Sequence, residues 1–78
     1  MKKTIYSDKV SHLNALLVAA RKASGLTQAE LAKKLKTPQN FVSYYERGGR
    51  RLDVVEFLEI CATLGADPVK IIRALQDK

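Results

Sequence analysis

The stretch from Thr27 to Gly48 constrains what this chain can fold into more than any other. Thr27 has a glutamate three residues on, Glu30, which is the signature of a capping box at a helix start. Leu31, Ala32 and Leu35 then recur at helical spacing. Lys36 and Thr37 fit a turn, and Pro38 fits the first turn of a second helix, where its missing N–H has no cost. In that second helix Phe41, Val42 and Tyr45 share one side, while Gln39, Asn40, Ser43, Tyr44 and Arg47 share the other. Two short helices joined by a tight turn are therefore expected over about 27–48, with Gly48 and Gly49 stopping the second.

Seventy-eight residues make one domain, spanning 1–78. A chain this short buries only about 60–65% of its unfolded surface, so its own core is marginal. A hydrophobic content of 46% argues against disorder. No segment alternates polar and apolar residues as a strand does. An all-α, compact bundle of five helices is the expectation.

The remaining helices follow from their punctuation. Residues 1–6 read as an extended arm, with Ile5 and Tyr6 packing on the body, and Ser7 or Asp8 as cap of a first helix to about Ala23. Its core face is Val10, Leu13, Leu16, Leu17 and Ala20. Gly25 is a left-handed stop, and Leu26 stands where a hydrophobic staple packs. Asp53 and Glu56 form a second capping box, opening a helix that Gly65 ends. The apolar set of that helix (Val54, Val55, Phe57, Leu58, Ile60, Cys61, Leu64) is wide enough to predict two buried sides. Asp67-Pro68 starts a last helix. There Val69, Ile71, Ile72 and Leu75 offer more apolar surface than a short terminal helix needs. The surplus over 66–78 reads as a dimer seam, and the spacing leaves open whether Ile71 or Ile72 faces inward.

The charge is unevenly placed. Residues 1–51 hold eleven Lys/Arg and three Asp/Glu, a net of +8, whereas residues 52–78 hold three and five, a net of −2. The first part reads as built to approach a polyanion, with a solvated basic surface as the alternative that charge alone leaves open. A short helix, a turn and a second helix make a helix-turn-helix unit. Its outward amides, hydroxyls and guanidinium carry the chemistry that reads base edges and phosphates.

The ordered set of Arg21, Gly25-Leu26-Thr27-Gln28, Glu30-Leu31-Ala32, Leu35, Gln39, Phe41-Val42-Ser43, Glu46-Arg47-Gly48 and Arg51-Leu52-Asp53 through Leu64-Gly65 resembles the Cro/phage-repressor type of helix-turn-helix domain, the XRE-like transcriptional regulators. The resemblance spans roughly residues 8–75. It implies a lambda-repressor-like fold. It also implies roles by position. Gln28 looks like a phosphate ligand that buttresses the recognition helix. Gln39 and Asn40 look like base readers, Ser43 and Tyr44 like the next exposed turn, and Arg47 like a backbone contact. Arg21 and Glu46 match an ion pair tying helix one to the end of helix three. Thr37 and Arg50 complete the expected DNA-binding set, with a plain loop charge as the alternative for Arg50. Two positions depart from the pattern. Lys36 stands where many members have glycine, and a left-handed lysine costs about 1 kcal/mol. Pro38 stands where a Ser or Thr cap is usual, with Thr37 as the substitute cap.

Other classes find little footing. His12 is the sole histidine and Cys61 the sole cysteine, so neither a metal constellation nor an intrachain disulfide is expected. No cofactor motif and no acid–base site stands out, and an enzyme is not expected. The longest apolar run, Ala15 to Ala20, is too short for a membrane span, and a single cysteine suits a reducing cytoplasm. The expected function is sequence-specific binding of double-stranded DNA by a homodimer on a near-palindromic operator, as a repressor. The rival is an antitoxin or controller subunit whose main task is a protein partner, such as a toxin, with DNA binding secondary. RNA polymerase is the expected partner if the regulator activates.

Overall fold

The computed structural model describes residues 3–77, with side chains from residue 8 onward. Five helices follow in order: α1 (Lys3–Ala23), α2 (Gln28–Leu35), α3 (Gln39–Glu46), α4 (Val54–Leu64) and α5 (Pro68–Gln76). There is no strand among the described residues. α2 packs on α3 and α4, α1 supports α3, α4 and α5 from behind, and α5 closes on α4.

The helix starts obey the local chemistry. Thr27 Oγ1 accepts from Glu30 N at 3.1 Å and Glu30 Oε1 accepts from Thr27 N at 2.9 Å, so two otherwise orphaned N–H groups are satisfied. Asp53 and Glu56 repeat the box at α4, at 2.7 and 3.0 Å. Asp67 caps α5 by accepting from Val69 N at 2.9 Å, with Pro68 as first helical residue.

The ends of the first four helices are equally uniform. In α1 the Leu26 N–H reaches back to the Arg21 carbonyl, and in α2 the Thr37 N–H to that of Ala32. In α3 Gly49 N reaches Tyr44, and in α4 Ala66 N reaches Cys61. Each is a Schellman closure through one left-handed residue. That residue is Gly25, Gly48 or Gly65 in three cases and Lys36, at φ +61°, in the fourth.

Several expectations change. The chain is helical from Lys3, so neither Ser7 nor Asp8 begins the helix. No glycine or proline interrupts residues 3–23, and nothing there stops helix propagation past Ser7. The packing expected of Ile5 and Tyr6 lies outside the described side chains, and Met1, Lys2 and Lys78 outside the described residues. Pro38 is the cap of α3 rather than its first residue, at φ −65° and ψ 152°, and no side chain caps that helix. Proline disfavours the helical region for the residue before it, which keeps Thr37 out of α3.

α4 buries one side only. Phe57, Ile60, Cys61 and Leu64 form one stripe in the core, while Val54, Val55 and Leu58 are exposed. Eleven residues make about three turns, and one stripe is all that the layer beneath covers. On α5, Ile71 is 9% exposed and joins the core, whereas Ile72 is 42% exposed. Ile71 is thus removed from the expected dimer seam. Leu17, Leu31, Ala32, Val42 and Tyr45 complete the core with the α4 stripe and Ile71. Asn14 of α1 is buried among them.

Candidate nucleic-acid interface

α3 is short and carries two faces. Val42 and Tyr45 point inward and are fully buried. Phe41 packs at the margin, its ring edge-on to Tyr45 at 5.4 Å between centroids. Gln39, Asn40, Tyr44 and Arg47 lie exposed on the opposite side. Ser43 is half-buried between the two, and its hydroxyl donates to the Asn40 carbonyl at 3.4 Å.

Glu46, the last residue of α3, anchors the helix from behind. Arg21 of α1 donates to it through Nε at 2.8 Å and Nη2 at 3.2 Å, and holds the Leu26 carbonyl with Nη1 at 2.9 Å. Gln28 Nε2, at the start of α2, donates to Glu46 Oε1 at 2.8 Å. One carboxylate therefore joins three helices. The pair is nearly dry, with side chains 11% and 6% exposed, and the hydrogen bond to Glu46 raises the Arg21 pKa against the opposing effect of burial. A buried pair of this kind fixes geometry more reliably than it adds net stability. The Gln28 amide keeps a second N–H that is chemically able to meet a phosphate.

Tyr44 is the exposed aromatic of the site and is held on two sides. The Arg47 guanidinium lies 5.1 Å from its ring centroid, a cation–π distance. The backbone of Gly49 lies against the ring so closely that an added Cβ would sit 2.6 Å from the ring carbon Cε1. Gly48 needs its positive φ of +84°, and Asn14 lies beneath it. Arg47, Arg50 and Arg51 with Gly48 and Gly49 then line an open recess of about 390 Å³ beside α1.

Two of the expected contact residues sit differently. Thr37 Oγ1 is buried and has no partner among the described residues, so it neither caps α3 nor presents a hydroxyl to DNA. Arg50 is engaged within the protein. Its Nη1 and Nη2 grip Glu56 Oε1 and Oε2, each at 2.9 Å, Nη1 also donates to the Arg51 carbonyl, and Cζ lies 5.1 Å over the Phe41 ring. In the sequence, Glu56 is legible as a capping-box residue alone. A glutamate six residues after an arginine, across a helix start, was the available sign of a second duty. The burial of Asn14 carried no such sign, because a lone amide on α1 looks the same whether inward or outward.

No group of three or more His, Cys, Asp or Glu side chains able to hold a metal occurs among the described residues. Nor is any helix there long and apolar enough to cross a membrane.

A family model described as helix-turn-helix matches residues 17–71. The chain belongs to this Cro/C1-type, XRE-like helix-turn-helix family of DNA-binding transcription regulators. Among solved structures it is similar to an XRE-family like protein from Pseudomonas syringae pv. tomato str. DC3000, with a TM-score of 0.90 and 45% identity over 96% of this chain and 92% of that one. A comparison with curated proteins finds no match.

Proposed function

We propose that this regulator is a repressor that binds a near-palindromic operator as a homodimer. The carrying observation is the outward face of α3, where Gln39, Asn40, Tyr44 and Arg47 stand exposed together on a helix whose far end Glu46 locks to α1 and α2. In this reading α3 lies in the major groove. Gln39 and Asn40 meet base edges, while Ser43 and Tyr44 touch bases or backbone. Arg47 and the free N–H of Gln28 meet phosphates. Basic side chains release counterions as they neutralise the backbone. Repression follows by occluding a promoter, and the site of action is the cytoplasm.

The homodimer rests on a second observation. Val55 of α4 is exposed, and Val54 and Leu58 of α4 with Val69 and Ile72 of α5 form an exposed apolar face. A shallow groove of about 370 Å³ runs between them. One helix-turn-helix covers too little DNA for strong specificity, and two reading helices about a two-fold axis double it. The same face supports the rival reading, an antitoxin or controller subunit that holds a protein partner there.

Selection of bound sites from a random duplex pool, followed by titration over salt, tests the DNA reading. The expected result is an inverted-repeat site and a steep linear fall of log affinity with log salt. A flat salt response overturns it, and an enriched site without dyad symmetry overturns the palindrome.

A further inference from the structure

The Arg50–Glu56 fork has more to it than a surface ion pair. Arg50 belongs to the loop after α3, Glu56 to the first turn of α4, and Phe41, under the guanidinium, to α3 itself. Three elements therefore meet at one planar cation. The fork is two-pronged, with both distances 2.9 Å, and a third bond holds the Arg51 carbonyl. Glu56 is itself immobilised, because the same Oε1 accepts from Asp53 N at 3.0 Å in the capping box. Phe41 stands edge-on to the fully buried Tyr45. The chain of contacts runs without a gap from the α4 start through the loop to the buried side of the reading helix.

We propose that Arg50 and Glu56 are positioning residues for DNA reading: together they clamp α3 against α4 and set the angle at which Gln39, Asn40 and Arg47 meet the groove. Arg50 acts inside the protein and is not a phosphate ligand. A guanidinium gripping a carboxylate with two donors and a carbonyl with a third, while stacked on a ring, has its plane fixed. Leaving that arrangement for a phosphate strands Glu56 beside a polyanion. The fork also stays half open to water, with side chains 41% and 26% exposed. Coulomb attraction there is screened, so the pair contributes orientation more than stability.

The inference rests on the DNA-binding reading, and its test separates the two. Affinity for a selected site and for random duplex is measured across salt for wild type, Arg50→Ala, Arg50→Lys, Glu56→Gln and Arg50→Ala/Glu56→Gln. Glu56→Gln keeps an oxygen for the Asp53 N–H and so spares the cap. Melting curves confirm that each variant is folded at the assay temperature. A clamp predicts that Glu56→Gln weakens specific binding, although it removes a negative charge near DNA. The specific-to-random ratio falls at least about threefold in each single variant, and the double variant falls no further than either single one. Lysine at 50 fails to restore the ratio, because it lacks the fork. The salt slope changes by less than about half a unit. Tighter binding by Glu56→Gln, or a slope reduced by about one in Arg50→Ala with rescue by lysine, makes Arg50 a phosphate ligand held back by Glu56 and overturns the clamp. A wild type with no salt-dependent duplex binding overturns the DNA reading and the clamp with it.

Discussion

Gln39 and Arg47 stand at opposite ends of α3's exposed face, and in the proposed function they demand different things of DNA. An amide presents a donor beside an acceptor in one plane, which matches an adenine edge and mismatches others. A guanidinium at the helix end, stacked on Tyr44, offers charge that any phosphate satisfies. Gln39→Ala is therefore expected to cost about 1–3 kcal/mol on the selected site and little on random duplex. Arg47→Ala should weaken both alike and lower the salt slope by about one. Equal losses on both DNAs for both variants, in a binding titration, contradict the assignment. Tyr45 poses a different residue-level question. Its ring is fully buried, burial foremost drives its pKa upward, and Oη has no partner among the described residues. A buried hydroxyl without a partner is a net cost of about 1–3 kcal/mol. Tyr45→Phe should accordingly leave stability unchanged or raise it, read from denaturant midpoints.

At the level of elements, the helix termini share one device and one exception. Four helices close through a left-handed residue, and only Lys36 carries a side chain there. The strain of a left-handed lysine is about 1–2 kcal/mol, offset in part by the greater chain entropy of glycine when unfolded. Lys36→Gly should stabilise the domain by about 0.5–1 kcal/mol, with base preference unchanged in the same binding assay. The α4 start carries a pH dependence. The fork from Arg50, and then the Asp53 N–H, hold the Glu56 carboxyl below its ordinary 4.5. A depressed folded pKa means stability that is fully present above the unfolded value and lost as pH falls through the folded one. The melting temperature should thus drop as pH falls below 4.5, the ordinary value of this carboxyl. Glu56→Gln should flatten that acid limb, and an identical limb in the variant would show that Glu56 contributes nothing to it.

At the scale of the whole molecule, α4 and α5 leave an apolar surplus uncovered. Val54, Val55, Leu58, Val69 and Ile72 remain exposed after every helix has found its neighbour. In a domain whose own core is marginal, covering such a face acts on the folded state alone and stabilises it by mass action. Ile72→Asp places a charge on that face and leaves the core residue Ile71 in place. The expected result is a monomer in sedimentation, a fold retained by circular dichroism, and loss of operator affinity without change at the reading surface. A wild type monomeric at tens of micromolar, binding one half-site as tightly as two, excludes the homodimer.

Local chemistry alone determined much of this protein. The boxes at Thr27–Glu30 and Asp53–Glu56, the Asp67-Pro68 start and the stops at Gly25, Gly48 and Gly65 were legible, because caps act over three or four residues and leave short-range signatures. The inward set Val42 and Tyr45 followed from helical period, and the helix-turn-helix from the order of these signs. Other features required the folded chain. Periodicity names an apolar residue without saying which partner covers it, so Ile71 and Ile72 were indistinguishable until α5 lay against α1 and α4. For the same reason the width of the α4 set suggested two buried sides where tertiary packing supplied a cover for one. Thr37 looked like a cap until the turn buried its hydroxyl. Arg50 read from sequence as a phosphate contact, with a plain loop charge as the alternative; the fold brings it over Phe41 and onto Glu56, a meeting of three elements that no single stretch of sequence encodes.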